Sequence, residues 1–372
     1  MTSATRFGLA VTAAGAMLLG GCSGDEPEGA QPPAPSIAAA PSAAASAPAP
    51  APAGTFDLSA DPETLATGLD VPWGMAFLPD GSALVALRDE ARIMQITPGR
   101  EPREAYRMPG VDAAGEGGLL GLALAEDYPQ TRWVYAYYTA SGDNRIARFK
   151  LGSDDRPEVI FDGLAKAGNH NGGRIAFGPD GMLYVGTGDA AVPSRSQDQN
   201  SPNGKILRLT PEGDPAPGNP REGSPVWTSG HRNVQGLAWA ADGTMYAPEF
   251  GQNRLDEVNK IEKGKNYGWP EVEGRGDDSR FTNPLVTWAT SEASPSGAAI
   301  SGDTLYVAAL RGERLWTVPL TGGEPKAEFT GRYGRLRTVA VAPDGALWLT
   351  TSNTDRGNGR DGDDRILRFP AR

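Results

Sequence analysis

The sequence predicts an all-β protein, a six-bladed β-propeller with four-stranded antiparallel blades. Two observations support this prediction. A hairpin unit, in which an apolar run, a turn and a second apolar run follow one another, occurs six times along the chain. Each unit is followed by a further strand-like segment in which charged residues flank an apolar alternation. Six repeated hairpins are typical of a propeller, whereas a sandwich or an up-and-down barrel does not explain them.

The hairpin units share their turn chemistry. Asp-Gly, as in Pro79-Asp80-Gly81, favours a tight hairpin because the turn needs residues that tolerate positive φ. The six units are Met75–Leu87, Leu122–Tyr138, Ile175–Asp189, Leu237–Phe250, Ala298–Leu310 and Val339–Ser352. The segments predicted as third strands are Ala91–Thr97, Asn144–Leu151, Gly204–Thr210, Asp256–Ile261, Glu313–Leu320 and Asp364–Pro370.

The first 54 residues predict an export signal and a tether. Residues 1–22 have the pattern of a lipoprotein signal peptide, with an apolar run from Phe7 to Gly21 and a Leu-Gly-Gly-Cys end. Cys22 is the only cysteine, so we expect it to carry a lipid and expect no disulfide within the chain. Residues 23–54 are rich in Pro and Ala and predict a disordered linker, which leaves residues 55–372 for the propeller.

These features predict an exported protein that is anchored by its lipid to the outer face of a bacterial cell membrane. The lipid is the only membrane contact that we expect. The net charge of −11 argues against a nucleic-acid partner, because binding to phosphates requires clustered Lys and Arg. Nothing in the sequence indicates an obligate assembly, and we expect a monomer.

His170 is one of only two histidines, and it lies just before a predicted inner strand. Gly172 and Gly173 follow it, and their lack of a side chain would let a flat ligand or another backbone approach closely. The alternative is that His170 caps a loop and that the glycines form a bulge. In a propeller, the segments that lead into inner strands open onto one mouth of the central channel, which favours a site there.

Three further polar clusters occupy comparable places. Arg232 and Asn233 follow the second histidine, His231, one unit further along the chain. The main-chain carbonyls near Gly251 and Gln252 are hard oxygen donors of the kind that calcium prefers, although a solvated acidic loop is an equal alternative.

Arg335 and Arg337 are two residues apart, which places both on one face of a strand. If they face inward, we expect them to require anionic partners, most simply carboxylates.

The motifs NHNGGRIAFGPDG, GHRNVQGLAW, EFGQNRLDEVNKIEKGKNYGWP and YGRLR, in this order, resemble the glucose/sorbosone dehydrogenase family. These are soluble propeller quinoproteins that use pyrroloquinoline quinone (PQQ) and calcium, and the similarity covers Leu69 to Phe369, with the shorter aldose sugar dehydrogenases as the most similar branch. The resemblance implies oxidation of an aldose at its anomeric carbon to a lactone, with hydride transfer to PQQ. Electrons would then pass to an external acceptor.

The resemblance also implies roles for individual residues. His170 matches the general base, and Arg232 matches the arginine that polarises the reacting quinone carbonyl, with Asn233 beside it. Arg335 and Arg337 match ligands of the cofactor carboxylates. Further matches are Arg311 and Glu116 near the cofactor, Gly251 and Gln252 as carbonyl ligands of the calcium at the cofactor, and Glu257 and Tyr267 as ligands of a second calcium.

Two positions depart from the family pattern. Asn169 stands where the better-known relatives carry an acidic residue, so the catalytic histidine lacks that neighbour. Glu116 stands where relatives carry glutamine, and its carboxylate beside an anionic quinone requires protonation, an arginine or calcium.

Two other functions fit the sequence. One is a non-catalytic extracellular ligand-binding propeller, because propellers serve binding proteins and enzymes alike. The other is a calcium-dependent lactonase-type propeller, in which carboxylates and asparagines would hold a catalytic metal. His170 together with three arginines suits an anionic organic cofactor better than a bare metal.

Overall fold

A computed structural model describes residues 56–356 and 359–372 of the chain. The predicted signal peptide, the predicted lipidation site Cys22 and the predicted linker lie outside the described residues. The described residues form six four-stranded antiparallel sheets, and almost none of them are helical. The predicted six-bladed propeller is therefore confirmed.

Within each blade the strands follow one another from the central channel outward. The exception is β1 (Glu63–Ala66), which precedes the first complete blade. Blade 1 contains β2 (Pro72–Phe77), β3 (Ala83–Leu87), β4 (Arg92–Ile96) and β5 (Arg103–Arg107). Blade 2 contains β6 (Leu119–Leu124), β7 (Trp133–Thr139), β8 (Asn144–Lys150) and β9 (Glu158–Leu164). Blade 3 contains β10 (Arg174–Phe177), β11 (Leu183–Gly186), β12 (Lys205–Leu209) and β13 (Val226–Ser229).

The remaining blades repeat this order. Blade 4 contains β14 (Ala238–Trp239), β15 (Met245–Glu249), β16 (Leu255–Ile261) and β17 (Val286–Ala289). Blade 5 contains β18 (Pro295–Ser301), β19 (Thr304–Ala309), β20 (Arg314–Pro319) and β21 (Lys326–Glu328). Blade 6 contains β22 (Leu336–Val341), β23 (Leu347–Thr351) and β24 (Ile366–Phe369), and β1 pairs with β24 as its outermost strand.

The predicted hairpin turns form because an aspartate side chain and a glycine cooperate. In blade 1, Asp80 Oδ1 accepts a hydrogen bond from Ser82 N at 3.0 Å, and Gly81 adopts φ +83°. The same aspartate contact recurs at three other hairpins, at Asp180, Asp242 and Asp344. In blade 2 the short helix α1 (Tyr128–Thr131) replaces this turn.

The core consists of hydrophobic clusters, six among the described residues, each lying between two neighbouring blades. The inner strands approach one another closely, and each contributes at least one alanine to the lining of one end of the channel: Ala76, Ala123, Ala176, Ala238, Ala298, Ala299 and Ala340. Small side chains suit this narrow ring.

Helical structure is limited to α1 and to two 3₁₀ turns, Pro193–Ser196 and Thr354–Arg356, within the part of the chain that the structure describes. No helix in that part is long and apolar enough to cross a membrane.

The antiparallel meander determines where a site can form. The start of each inner strand and the end of the strand paired with it lie at the same end of the blade. Loops that enter inner strands and loops that leave second strands therefore meet at one mouth of the channel. Asn169 and His170 enter β10, whereas Gly251 and Gln252 leave β15.

Candidate functional site

This mouth of the channel holds a cavity of about 450 Å³. Six arginines and three carboxylates line it, so that the lining carries an excess of positive charge in a chain whose net charge is −11. Eight of the predicted site residues lie on its surface: Glu116, His170, Arg232, Gly251, Gln252, Arg311, Arg335 and Arg337. Asn233, Glu257 and Tyr267 do not belong to the lining.

His170 is held by a carboxylate that lies 19 residues further along the chain. Its Nδ1 is 2.7 Å from Asp189 Oδ1, and its Nε2 is 3.3 Å from Asn169 Nδ2. When Nδ1 carries the proton and donates it to Asp189, Nε2 is left as an acceptor. The imidazole is therefore oriented with a basic nitrogen that can receive a proton.

Asp189 is itself fixed. It is fully buried, its Oδ2 accepts a hydrogen bond from Trp269 Nε1 at 2.9 Å, and its Oδ1 accepts one from Ala191 N at 2.8 Å. Gly188 passes so close to His170 that a Cβ at this position would lie 1.9 Å from the His170 carbonyl oxygen. The His170 loop and the loop that carries Asp189 are thus packed backbone to backbone.

Of the two possibilities that the sequence left for Gly172 and Gly173, the structure supports close approach of neighbouring protein atoms and not of a ligand. Neither residue lines the cavity. A Cβ on Gly172 would lie 2.5 Å from the Gly186 carbonyl oxygen, and one on Gly173 would lie 2.6 Å from the Leu120 side chain. Both residues also have positive φ. They are glycines because β11 and the neighbouring blade pack against this backbone.

The second histidine has a different environment. His231 is fully buried, and its two ring nitrogens contact Glu249 Oε1 at 3.0 Å and Thr228 Oγ1 at 2.9 Å. Its ring stacks on Tyr267. These contacts satisfy both nitrogens inside the protein, so His231 supports the loop that presents Arg232.

Arg232 reaches the cavity wall beside the loop that leaves β15. Its Nε and Nη2 donate to Gln252 Oε1 at 2.9 and 2.6 Å, and its guanidinium lies 5.5 Å from the centre of the Trp269 ring. Burial lowers the pKa of Arg232 below its usual value, although Asp189 and Glu116 oppose this effect. Arg232 thus places a cation at the cavity wall with a neutral amide as its nearest acceptor.

Asn233 lies beneath this wall. It is fully buried, and its Oδ1 accepts a hydrogen bond from Gly172 N at 2.9 Å. Its Nδ2 is buried and has no partner among the described residues. Asn233 thus supports the His170 loop and retains a donor that a bound group could use.

Arg335, Arg337 and Arg88 share one carboxylate. Asp355 accepts a hydrogen bond from Arg88 Nη1 at 2.6 Å and from Arg337 Nη2 at 3.0 Å, and it lies 3.6 Å from Arg335 Nη2. Burial raises the pKa of Asp355, but Arg337, Arg88 and Arg335 outweigh that effect and hold it below its usual value.

Burial, partly offset by Asp355, lowers the pKa of Arg337 to about 10. Arg88 also donates to Asp89, so three cations face two carboxylates and one positive charge remains uncompensated at the cavity. The anionic partner that the sequence predicted for Arg335 and Arg337 is thus Asp355.

Trp73 belongs to the cavity lining but is almost fully buried, and it packs against a buried arginine. Arg174 contacts this ring at 4.3 Å from its centre and donates to the Gln235 carbonyl oxygen at 2.7 Å. Arg337 approaches the same ring at 5.8 Å. Trp73 is only 1% exposed, so its ring holds the two guanidinium groups in place, and the positive charge that they carry suits an anionic ligand.

Arg311 and Glu116 lie on other parts of the lining. Arg311 is exposed and follows β19. Glu116 Oε2 accepts a hydrogen bond from His170 N at 2.9 Å, and its Oε1 lies 3.7 Å from Arg356 Nη2. The sequence predicted that protonation, an arginine or calcium would offset the charge of Glu116, and the structure places an arginine, Arg356, beside it.

Gly251 and Gln252 belong to the 250–254 loop between β15 and β16. Asp256 Oδ1 accepts a hydrogen bond from Gly251 N at 2.9 Å, and Asp256 Oδ2 accepts one from Ser294 N. Burial raises the pKa of Asp256 to about 6. With two main-chain carbonyls and a nearby carboxylate at the cavity surface, this donor set fits a calcium ion.

Glu257 and Tyr267 lie behind the cavity. Glu257 Oε2 and Asn259 Oδ1 are buried oxygens without a hydrogen-bond partner among the described residues. Burial, together with the carboxylate of Glu249, raises the pKa of Glu257 well above its usual value. The Tyr267 hydroxyl donates to Lys260 O and accepts from Glu262 N, so only the main chain of Tyr267 is free to serve as a ligand.

Unpartnered buried oxygens at this place fit a cation. In residues 56–356 and 359–372, no three His, Cys, Asp or Glu side chains converge as a metal site.

Several residues of the site were not found from the sequence: Trp73, Arg88, Arg174, Asp189, Gln235, Asp355 and Arg356. Two of them carried a usable signal. Arg88 directly follows a second strand, and Arg311 and Gly251 come two residues after theirs. Asp189 ends the third hairpin unit. The repeat itself therefore marks these places, because equivalent positions in each blade face the same mouth.

The chain is similar to known proteins over most of its length. A family model described as Glucose / Sorbosone dehydrogenase matches residues 69–360. The chain belongs to this family. The predictions of the family and of an oxidoreductase are confirmed.

Relatives in two bacteria extend the match. An aldose sugar dehydrogenase of Escherichia coli K12 is 32% identical over 336 residues, which cover 78% of this chain and 90% of that protein. The PQQ-bound aldose sugar dehydrogenase of Streptomyces coelicolor is 52% identical, with a TM-score of 0.80 over 83% of this chain and 97% of the other. The apo form of the soluble E. coli enzyme gives 28% identity and a TM-score of 0.74 over 84% and 99% of the two chains.

Proposed function

We propose that this family member is a PQQ- and calcium-dependent dehydrogenase that oxidises aldose sugars at the anomeric carbon to lactones. The observation that carries the proposal is the cationic cavity, whose wall presents the His170–Asp189 pair. An acidic chain with an arginine-lined cavity is arranged to bind an anionic organic group. The similarity to a PQQ-bound aldose sugar dehydrogenase supports PQQ as that group.

The residues for holding PQQ are the cations of the cavity. Arg335, Arg337 and Arg311 would hold its carboxylates. Asn233 and Arg232 would donate to its oxygens, and Glu116 with Arg356 would close one side. When bound, PQQ supplies the two-electron acceptor for the hydride that leaves the anomeric carbon.

His170 would act as the general base. Its Nε2 accepts the proton of the anomeric hydroxyl, while Asp189 holds Nδ1–H and stabilises the imidazolium that forms. The hydroxyl O–H and the anomeric C–H both break and a C=O bond forms, so a cyclic aldose becomes a lactone. Arg232 places positive charge where negative charge develops during the reaction.

The calcium sites are part of the same proposal. The carbonyls of Gly251 and Gln252 would hold one ion at the cavity, where calcium supplies a Lewis acid and a template. Glu257 and the main chain of Tyr267 would hold a second ion, which offsets the buried negative charge of Glu257 and Glu249.

Reconstitution tests the proposal. Purified protein supplied with PQQ and calcium should oxidise glucose in a dye-linked assay. His170→Ala should lower kcat by about 10²- to 10⁴-fold, because a general base contributes about this much, and should leave PQQ affinity within about threefold. PQQ affinity is measured separately by absorbance titration, so binding and chemistry are distinguished.

Two results would contradict the proposal in different ways. Tight PQQ binding without oxidation of any aldose would favour the non-catalytic binding propeller. Failure to bind PQQ would remove the quinoprotein function altogether, and a calcium-dependent lactonase assay would then be the next measurement.

We further propose that the protein is exported, processed and lipidated at Cys22, and held as a monomer at the outer face of the cell membrane by the residue 23–54 tether. The support is the sequence pattern of residues 1–54. An external acceptor on that side of the membrane would then take up the electrons. Release of a Cys22→Ala variant from the membrane fraction tests the anchor, and continued membrane association would contradict it.

A further inference from the structure

We propose that Glu273 is a positioning residue that aims the carbonyls of Gly251 and Gln252 into the cavity. The inference deepens the proposed function and rests on it, because it concerns the proposed calcium site at the cofactor. Glu273 lies in the connection between β16 and β17 and does not belong to the lining of the cavity. It therefore acts through the 250–254 loop, not on a ligand.

One oxygen of Glu273 accepts hydrogen bonds from four consecutive main-chain N–H groups. Glu273 Oε1 accepts hydrogen bonds from the N–H of Gln252 at 2.8 Å, Asn253 at 3.1 Å, Arg254 at 2.9 Å and Leu255 at 3.1 Å. A concave run of N–H groups around one anionic oxygen is a recognised anion-binding arrangement of backbone. Here the anion is a side chain of the same protein, which fixes the loop.

These bonds determine where the carbonyls point. In a planar trans peptide, the N–H of one residue and the C=O of the preceding residue point in opposite directions. The N–H groups of Gln252 and Asn253 point at Glu273, so the carbonyls of Gly251 and Gln252 point away from it. Both residues line the cavity whereas Glu273 does not, so we infer that the two carbonyls point to the cavity side.

The neighbouring peptide confirms this geometry. Gly251 N donates to Asp256 Oδ1, and the carbonyl of Phe250 in the same peptide accepts from Arg232 Nη1 at 3.4 Å. This carbonyl therefore faces the cavity side, where Arg232 lies. Asp256 and Glu273 together hold five successive N–H groups on one side of the loop.

The loop is also too tight to reorganise freely. A Cβ at Gly251 would lie 1.8 Å from the Leu255 carbonyl oxygen and 2.8 Å from Glu273 Oε1. The backbone of the loop is thus closed upon the Glu273 carboxylate. Without that carboxylate, four N–H groups lose a common acceptor and the two carbonyls lose their fixed direction.

The first measurement uses the protein without PQQ or calcium. Hydrogen exchange followed by mass spectrometry should show the amides of residues 252–255 exchanging about fivefold to tenfold faster in Glu273→Ala than in the wild type. Glu273→Gln keeps an oxygen acceptor and should retain most of the protection. Glu324→Ala, at an exposed glutamate of blade 5, is the matched control and should leave these amides unchanged.

The second measurement is the calcium concentration that gives half-maximal PQQ binding, followed by PQQ absorbance. Glu273→Ala should raise this concentration by about 10- to 100-fold, the usual effect of removing a residue that orients metal ligands, and Glu273→Gln should raise it much less. Equal values for Glu273→Ala and the wild type, or equal losses in the Gln and Ala variants, would overturn the proposal. Calcium-independent PQQ binding by the wild type would instead refute the calcium site itself.

Discussion

At the scale of single residues, the proposal that His170 is the general base depends on its contact with Asp189. His170 alone, between two asparagines, is as consistent with a loop cap as with catalysis. The 2.7 Å contact to Asp189, a carboxylate that is fully buried and held by Trp269, supports the proposed catalytic role. A fixed carboxylate on Nδ1 sets the tautomer and the ring orientation that proton transfer from a substrate requires.

Asp189→Asn should therefore impair chemistry more than binding. The amide removes the charge that stabilises the imidazolium and can favour the wrong tautomer, so we expect kcat for glucose to fall on the order of 100-fold with KM within about threefold. Steady-state kinetics of the reconstituted enzyme measure both constants. Asp303→Asn, at an exposed turn of blade 5, is the matched control, and a kcat for Asp189→Asn within twofold of the wild type would contradict the role of this pair.

The partner also shows what the sequence could not reveal. The position just before His170 holds Asn169, so the sequence offers no acidic neighbour there. Asp189 reaches the imidazole because β10 and β11 form a hairpin that brings the His170 loop against the end of the second strand. Contacts of this kind depend on register, which residue types alone do not specify.

At the scale of secondary-structure elements, the hairpins were predictable because their turns have a recognisable residue pattern. The long loops lack such a pattern and were not predictable. The Asp-Gly turns are predictable because the aspartate contact and the positive φ of glycine determine their geometry locally. The 187–204 loop between β11 and β12 contains no such repeat. It is held instead by Lys205, whose Nζ donates to the carbonyls of Arg195, Ser196 and Asn203 at 2.7, 3.0 and 3.0 Å.

Lys205 gives a testable pH dependence. Burial lowers its pKa to about 8, with Asp198 opposing, whereas the unfolded chain keeps a value near 10.5. Between these two values the unfolded state binds more protons than the folded state, so this group's contribution to the free energy of unfolding rises with pH from about 8 to about 10.5. Below about pH 8 both states are protonated, and the contribution is flat.

The measurement is the free energy of unfolding of the wild type minus that of Lys205→Met, followed from pH 7 to pH 10.5 by denaturant titration. We expect this difference to increase with pH above about 8. Lys263→Met, a substitution at an exposed lysine, should give a flat difference over the same range. A flat or falling difference for Lys205→Met would show that burial does not depress this pKa.

At the scale of the whole molecule, the repeat predicts six blades but not how the ring closes. β1 lies outside the six hairpin units. Its partner β24 is about 300 residues away in the sequence, at the C-terminal end of the propeller domain. No local pattern distinguishes a four-residue strand that closes a ring from one that pairs with its neighbour. The position of β1 follows from the number of blades, because blade 6 has only three strands of its own.

Closure by β1 also keeps the site assembled. Arg88 belongs to the loop that leaves β3 in blade 1, and its partner Asp355 belongs to the loop that leaves β23 in blade 6. The ion pair therefore crosses the junction between the first complete blade and the last. The excess positive charge at the cavity depends on both blades holding their relative positions, which links anion binding to the stability of the ring.

Leu65 tests this link. Its side chain is 9% exposed and packs in the cluster with Met75, Trp348 and Ile366, between blades 6 and 1, whereas Thr64 on the same strand is exposed. Leu65→Asp places an unpaired carboxylate among apolar side chains and should lower the free energy of unfolding by about 3 kcal/mol or more. Thr64→Asp adds the same charge on the exposed face and should change the free energy of unfolding by less than about 0.5 kcal/mol.

Denaturant unfolding measures both effects, and PQQ titration under native conditions should show weaker binding by Leu65→Asp alone, because the Arg88–Asp355 junction loosens. Equal stability of the two variants would mean that β1 does not hold the ring closed.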